Sequence, residues 1–105
     1  MAPRLTFEER VDDQALRLTV AGDIDLATVL SLEERAASAI ERAPRDLVLD
    51  LSGVEFCDST GVAALLRVRN ATVGSGHGFR IEGVCSGVKR VLATVGLIEA
   101  LNVVE

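Results

Sequence analysis

Three observations in the amino-acid sequence predict a small α/β domain with a mostly parallel sheet. Apolar residues alternate with polar ones at Leu5 and Phe7, at Leu16, Leu18 and Val20, at Leu47, Leu49 and Leu51, and at Phe79 and Ile81; a period of two marks strands with one buried face. Between the later strands, apolar residues recur at helical spacing instead. Strands joined through helices must lie parallel, because the chain has to cross back before the next strand starts. The expected order is β-β-α-β-α-β-α-β, with an antiparallel first strand. Alternation rather than continuous apolarity places the helices mainly on one face of the sheet.

The first strand is Leu5 and Phe7 with Thr6 and Glu8 between them, and the charged residues 9–13 read as a turn into the second strand. Gly22-Asp23-Ile24-Asp25 then breaks the alternation and is expected to open the first helix, with Leu26, Val29, Leu30, Ala36, Ala37 and Ile40 on its apolar stripe and Pro44 marking its end. Asp23 and Asp25 suit its N-cap or first turn, where negative charge is favoured. In the third strand Leu47, Leu49 and Leu51 point one way, Val48 and Asp50 the other. A second helix is read from Gly61, Ala63, Ala64, Leu65, Leu66, Val68 and Ala71. Residues 74–78, rich in glycine, form a loop, and Phe79 and Ile81 the fourth strand. Val88, Val91, Leu92 and Val95 share the stripe of a third helix, which Gly96-Leu97 closes in the manner of a left-handed cap. Leu101, Val103 and Val104 are expected as a short final strand.

Composition narrows the function classes. With 105 residues the chain suits one domain, taken as residues 1–105, and its 49% apolar content excludes a disordered segment. Only three aromatics are present, so aliphatic side chains must fill the core. A formal charge of −5 argues against nucleic acid and anionic membrane as partners, since both call for clustered Lys and Arg. Met1-Ala2-Pro3-Arg4 lacks the apolar run of a signal peptide, and no apolar stretch approaches ~18 residues. Cys57 and Cys85 make neither a disulfide framework nor a zinc signature. A cytoplasmic location, with no cofactor and no metal, is expected.

Chemistry concentrates at Phe56-Cys57-Asp58-Ser59-Thr60-Gly61. The stretch lies where the third strand gives way to the second helix, at the end whose backbone N–H groups lack intrahelical partners. Either Asp58 or Ser59 suits the cap. If Asp58 takes it, the Ser59 hydroxyl is left facing solvent; if Ser59 takes it, that hydroxyl is engaged. Gly61 provides clearance, for a partner or for the packed sheet. The carboxyl ends of the parallel strands bring residues 22–25, 57–61 and 84–87 to one edge, where functional loops gather in such folds. The glycine loop falls on the opposite edge and precedes a strand, so it is a turn and not a phosphate cradle. With His77 the single histidine and Lys89 the single lysine, Ser59 has no evident base for hydrolytic chemistry, and an enzyme is not expected.

Gly22-Asp23-Ile24-Asp25, Asp58-Ser59-Thr60-Gly61, and Ser86-Gly87-Val88-Lys89-Arg90-Val91-Leu92 followed by Gly96-Leu97 resemble the STAS domain, and within it the bacterial anti-sigma-factor antagonists. The resemblance runs nearly the whole chain. It implies a partner-switching module: an anti-sigma factor that is itself a serine kinase, carrying its own ATP, phosphorylates the first hydroxyl after the aspartate. Here that residue is Ser59. Unmodified antagonist captures the kinase and frees the sigma factor; the phosphorylated form does not, until a phosphoserine phosphatase restores it. The resemblance further implies partner contacts at Asp23, Asp25, Asp58, Ser59, Thr60 and Gly61. The second hydroxyl is Thr60 where serine is usual. Family members commonly carry another helix after the last strand, whereas the sequence stops at Glu105, so no role of that helix is carried over.

Two other readings compete. A non-switching STAS scaffold, such as an accessory subunit of a lipid-transport or signalling complex, would share the fold and the same edge. A two-component receiver needs an acidic pair after the first strand of a β-α repeat, and Asp12-Asp13 lie between two strands. Cys57 and Cys85 each follow a strand on the functional edge, which raises a redox disulfide as a subsidiary expectation beside the simpler one of reduced, packed thiols.

Overall fold

The computed structural model describes residues 4–104. Two strands, β1 (Thr6–Val11) and β2 (Ala15–Ala21), form an antiparallel hairpin. The chain continues through α1 (Val29–Arg42), β3 (Asp46–Gly53), α2 (Ser59–Gly74), β4 (Phe79–Glu82) and α3 (Ser86–Thr94). The sheet has the order β1-β2-β3-β4, with β2, β3 and β4 mutually parallel. This is the expected mixed, mostly parallel α/β arrangement.

The alternating pattern accounts for the core. Leu16, Leu18 and Val20 of β2, Leu47, Leu49 and Leu51 of β3 and Ile81 of β4 are all fully buried. Over them lie Leu32, Ala36 and Ala39 of α1, Val62, Ala64, Leu65 and Val68 of α2, Val88 and Leu92 of α3, and Leu101. Each fully buried leucine contributes about 1.5–3 kcal/mol through removal from water. On the other face the strand register aligns two rows. One row holds Glu8, Thr19, Asp50 and Glu82; the adjacent row holds Arg10, Arg17, Val48 and Arg80. Arg17 pairs with Asp50 at 3.1 Å and Glu82 at 2.7 Å, and Arg80 with Glu82 at 2.6 Å. The bonds from Arg17 and then Arg80 hold the Glu82 carboxyl below its ordinary value.

Four details depart from the sequence-based expectation. β1 runs on through the charged stretch to Val11. Glu9 is tolerated there because its carboxylate meets Arg35 at 2.7 Å and Arg42 at 2.9 Å, both reaching over from α1. The hairpin turn is correspondingly tight, with Asp12 Oδ1 accepting the N–H groups of Gln14 and Ala15 at 2.8 Å each.

α1 starts at Val29, not at residues 22–25. Ile24 is held extended by a parallel bridge to Cys57, so the helix cannot begin before it. The buried stripe of α1 is Leu32, Ala36 and Ala39, while Leu26 and Leu30, expected in the core, are 76% and 68% exposed.

The third helix also ends one residue early, leaving Val95 exposed. Gly96 takes φ +76°, and Leu97 donates its N–H to Leu92 O at 2.9 Å while packing against the core, as its cap pattern requires.

Finally, the expected last strand reduces to a bridge between Ile81 and Val103, with Val104 N–H donating to Ile81 O at 2.8 Å. Asn102, at φ 50°, turns the backbone out of the extended region and stops the pairing from lengthening. Among the described residues no helix is long and apolar enough to cross a membrane.

Candidate functional site

Asp58 sits at the N-cap of α2 in extended backbone geometry. Its Oδ1 accepts the Gly61 N–H at 2.9 Å and the Thr60 hydroxyl at 2.6 Å. Those two bonds, Thr60 first and Gly61 second, hold the Asp58 carboxyl below its ordinary value, so the cap is charged at neutral pH. The choice left open by the sequence is thereby settled: aspartate caps the helix. Ser59 is the first helical residue, exposed, and its hydroxyl has no partner among the described residues. The two adjacent hydroxyls therefore differ in kind. Thr60 is tied down inside the capping turn; Ser59 faces solvent at the positive end of the α2 dipole, where added negative charge is favoured.

The loop after β2 is fastened to this turn. Ile24 N–H donates to Phe56 O at 2.9 Å, and Asp58 N–H donates to Ile24 O at 3.2 Å. Asp23 and Asp25 flank Ile24 and so stand beside the capping turn. Neither caps α1. Asp25 instead closes a turn of its own, its Oδ1 accepting Ala27 N–H at 3.0 Å and its carbonyl accepting Thr28 and Val29 N–H, also at 3.0 Å. The buried Thr28 hydroxyl completes the turn by donating to Asp23 O at 2.7 Å.

Gly61 explains how the two loops come so close. A Cβ built there would lie 2.6 Å from Ile24 O, 2.7 Å from Cys57 Sγ and 2.8 Å from Ile24 Cγ2, and contacts below 3.0 Å do not occur without movement. The glycine is buried. Its clearance serves the packed interior between the two loops.

The third loop of the edge joins through Cys85, which caps α3 and whose thiol donates to Val54 O at 3.4 Å. Cys57 is buried beneath Gly61, and both cysteines are free. Burial, reinforced by the neighbouring Asp58 charge, pushes the Cys57 thiol up to about 11, which suppresses the thiolate that redox exchange needs. The glycine loop lies at the opposite edge, where Gly78 N–H donates to Asp46 Oδ1 at the start of β3.

Leu26 and Leu30, expected in the core, are exposed after the 22–25 loop, and Phe56, at the head of the central stretch, is exposed too. Phasing α1 on Leu32, Ala36 and Ala39 leaves the first two outside the stripe, and Phe56, at 50% exposure, precedes the buried Cys57. Leu26 precedes the helix start at Val29, and Leu30 lies inside the helix but off its buried stripe. A groove of about 620 Å³ between α1 and α2, floored by Ala36, Ile40, Val68 and Ala71, does not include Ser59 or the aspartates. The candidate site is thus an open edge, suited to a macromolecular surface more than to an enclosed small molecule.

Comparison with known proteins agrees with this geometry. The chain is 28% identical over 101 residues to the anti-sigma-B factor antagonist of Staphylococcus aureus (strain NCTC 8325 / PS 47), covering 96% of this chain and 94% of that one. It is 34% identical over 80 residues to the anti-sigma-F factor antagonist RsfB of Mycobacterium tuberculosis, covering 76% of this chain and 65% of that protein. The crystal structure of an anti-sigma factor antagonist from Mycobacterium paratuberculosis superposes with a TM-score of 0.82 at 27% identity, over 94% of this chain and 84% of that one. The family model described as "Mlab, STAS domain" matches residues 7–104. That match spans nearly the whole chain and, with a sheet of this topology, makes the chain a member of the STAS domain family.

Proposed function

We propose that the chain is an anti-sigma-factor antagonist whose capture of its partner is switched by phosphorylation of Ser59. The observation that carries this reading is the contrast between two neighbouring hydroxyls: Thr60 is bonded to Asp58, and Ser59 is exposed and unengaged. A kinase can take up Ser59 without first breaking the helix cap. The names of the relatives support the partner class, an anti-sigma factor. In this reading the anti-sigma factor is a serine kinase that brings its own ATP, a phosphoserine phosphatase reverses the modification, and the exchange takes place in the cytoplasm. Asp23, Asp25, Asp58 and Thr60 surround Ser59 at the contact; Gly61 holds the surface in shape from below.

A phosphate on Ser59 adds about −1.5 to −2 charge. The α2 dipole favours an anion there by roughly 0.3–1 kcal/mol, and repulsion from Asp58 and the nearby aspartates offsets part of that. The fold is left intact while a partner surface shaped for a neutral hydroxyl meets a hydrated dianion, a mismatch worth several kcal/mol of binding. Incubation with the kinase and ATP should place phosphate on Ser59, and Ser59→Ala should abolish incorporation while retaining partner capture. Phosphopeptide mapping that puts the modification mainly on Thr60 would overturn the assignment. A chain that binds its partner but accepts no phosphate would favour the non-switching scaffold.

A further inference from the structure

We propose that Leu26 and Leu30, with Phe56 beside them, form an apolar anchor that docks onto an apolar patch of the anti-sigma factor bordered by basic side chains. The inference rests on the antagonist reading and adds the chemistry by which the partner is held. Leu26 and Leu30 are the two most exposed large apolar side chains among the described residues, and Phe56 is half-exposed. Their exposure follows from the fold: Leu32, Ala36 and Ala39 already fill the space between α1 and the sheet, so neither leucine has a place in the core.

Backbone pairing and helix order carry the three residues toward the edge that holds Ser59. Ile24, two residues before Leu26, donates its N–H to Phe56 O at 2.9 Å and accepts the Asp58 N–H through its own carbonyl. Along the helices, Glu33 of α1 bonds Arg67 of α2 at 2.7 Å. Both helices follow parallel strands of one sheet and so advance in the same direction. Stepping back from that ion pair by one turn on α1 gives Leu30, and by two turns on α2 gives Ser59. Leu26 lies in the turn before α1, between Asp25 and the helix start at Val29.

Exposed apolar side chains with a polar margin are the anatomy of a protein interface. Here the margin is acidic, formed by Asp23, Asp25 and Asp58, which calls for Lys or Arg around the partner's apolar patch. The same margin argues against a second copy of this chain, because a face-to-face pair would set the aspartates of one against those of the other. The apolar anchor is also chemically indifferent to phosphorylation. It supplies affinity, and Ser59 decides whether that affinity is realised.

The test uses the full chain and a panel of purified histidine-kinase-like anti-sigma factors encoded in the same genome, with binding measured by titration calorimetry. Leu26→Ser and Leu30→Ser should each weaken binding to the member captured by the wild type by ~10-fold or more, as expected for anchor residues. Val73→Ser, an exposed apolar residue at the far end of α2, should change it less than about twofold. Thermal melts within a few degrees of wild type, as expected for exposed positions, confirm that the variants are folded. Unchanged binding by Leu26→Ser/Leu30→Ser, with Ser59→Asp still abolishing it, would overturn the anchor and leave the antagonist reading standing. Failure of the wild type to bind any panel member would overturn both. Light scattering that shows a wild-type dimer converted to monomer by Leu30→Ser would assign the face to a second copy and overturn the proposal.

Discussion

Replacing Gly61 with alanine tests whether the modification site is built on the contact between two loops. In an ordinary helix the change would stabilise by about 0.5–1 kcal/mol, because glycine loses more backbone freedom on folding. Here the new methyl would lie 2.6 Å from Ile24 O, 2.7 Å from Cys57 Sγ and 2.8 Å from Ile24 Cγ2. The nearest of these is a backbone carbonyl that already accepts the Asp58 N–H at 3.2 Å, so it cannot withdraw without weakening that bond. Overpacking of this kind costs about 1–3 kcal/mol, which leaves a net destabilisation of up to about 2.5 kcal/mol, centred a little above ~1 kcal/mol. For a domain near 100 residues each kcal/mol moves Tm by about 4–8 °C, so a fall of about 5–10 °C is expected. Gly87→Ala is the control, since a Cβ in that first turn of α3 meets nothing within 4 Å; it should leave Tm unchanged or raise it slightly. Scanning calorimetry on the two variants decides the matter. A Gly61→Ala protein as stable as wild type would refute the close approach of the loops and the positioning role assigned to this glycine.

Three further outcomes are expected. Asp58→Ala removes the cap of α2 and should cost about 0.5–2 kcal/mol in urea unfolding, with Asp58→Asn recovering much of it; equal stability of all three would contradict the capping geometry. On acidification, stability should begin to fall somewhat above pH 4.5 and keep falling below it, because the folded carboxyls of Glu9 and Glu82 titrate below their ordinary 4.5 and that of Asp58 below its ordinary 3.8. Groups with depressed folded values stabilise above the unfolded titration and lose that contribution as pH falls through the folded one; urea midpoints that rise between pH 5 and pH 3 would refute it. At pH 8, iodoacetamide should label Cys57 ~100-fold more slowly than an unhindered thiol, from the two-unit rise in its titration alone, and labelling at the rate of a free thiol would show that Cys57 is not buried.

The parts of this molecule legible in the sequence are those governed by period and by chirality. Alternation at Leu16, Leu18 and Val20 and at Leu47, Leu49 and Leu51 specifies both the strands and the face they bury. The requirement for crossover connections then brings the Asp23–Asp25 and Asp58–Thr60 segments to one edge. Gly96-Leu97 announced its cap because a left-handed residue followed by an apolar one has few other uses. What escaped reading depends on contacts distant in sequence. Glu9 reads as a turn residue until Arg35 and Arg42 arrive from α1 to pair with it. Leu26 and Leu30 read as core because helical spacing alone admits several phases, and the bridge from Ile24 to Cys57 delays the helix start. The Gly61 contact with Ile24 joins residues far apart in sequence, and nothing local to either position signals it.

The way β1 is attached has a consequence for how the molecule opens. This strand pairs with β2 alone, and its core-side residues Phe7 and Glu9 are only partly covered. Arg35 lies over the Phe7 ring at 5.1 Å from its centroid, and the ion pairs from α1 to Glu9 are solvent-accessible, so this hold is modest and weakens with salt. β2 and β3, by contrast, bury Leu16, Leu18, Val20, Leu47, Leu49 and Leu51 completely. The hairpin amides are therefore the first of the sheet to trade their protons with water, ahead of the central ladder. Each such opening bares one edge of β2, whose unpaired backbone is a template for another chain. Glu8 and Arg10 on the outer face of β1 keep the closed edge unattractive to strangers, and high ionic strength, by loosening the Glu9 pairs, lengthens the moments when that guard is absent.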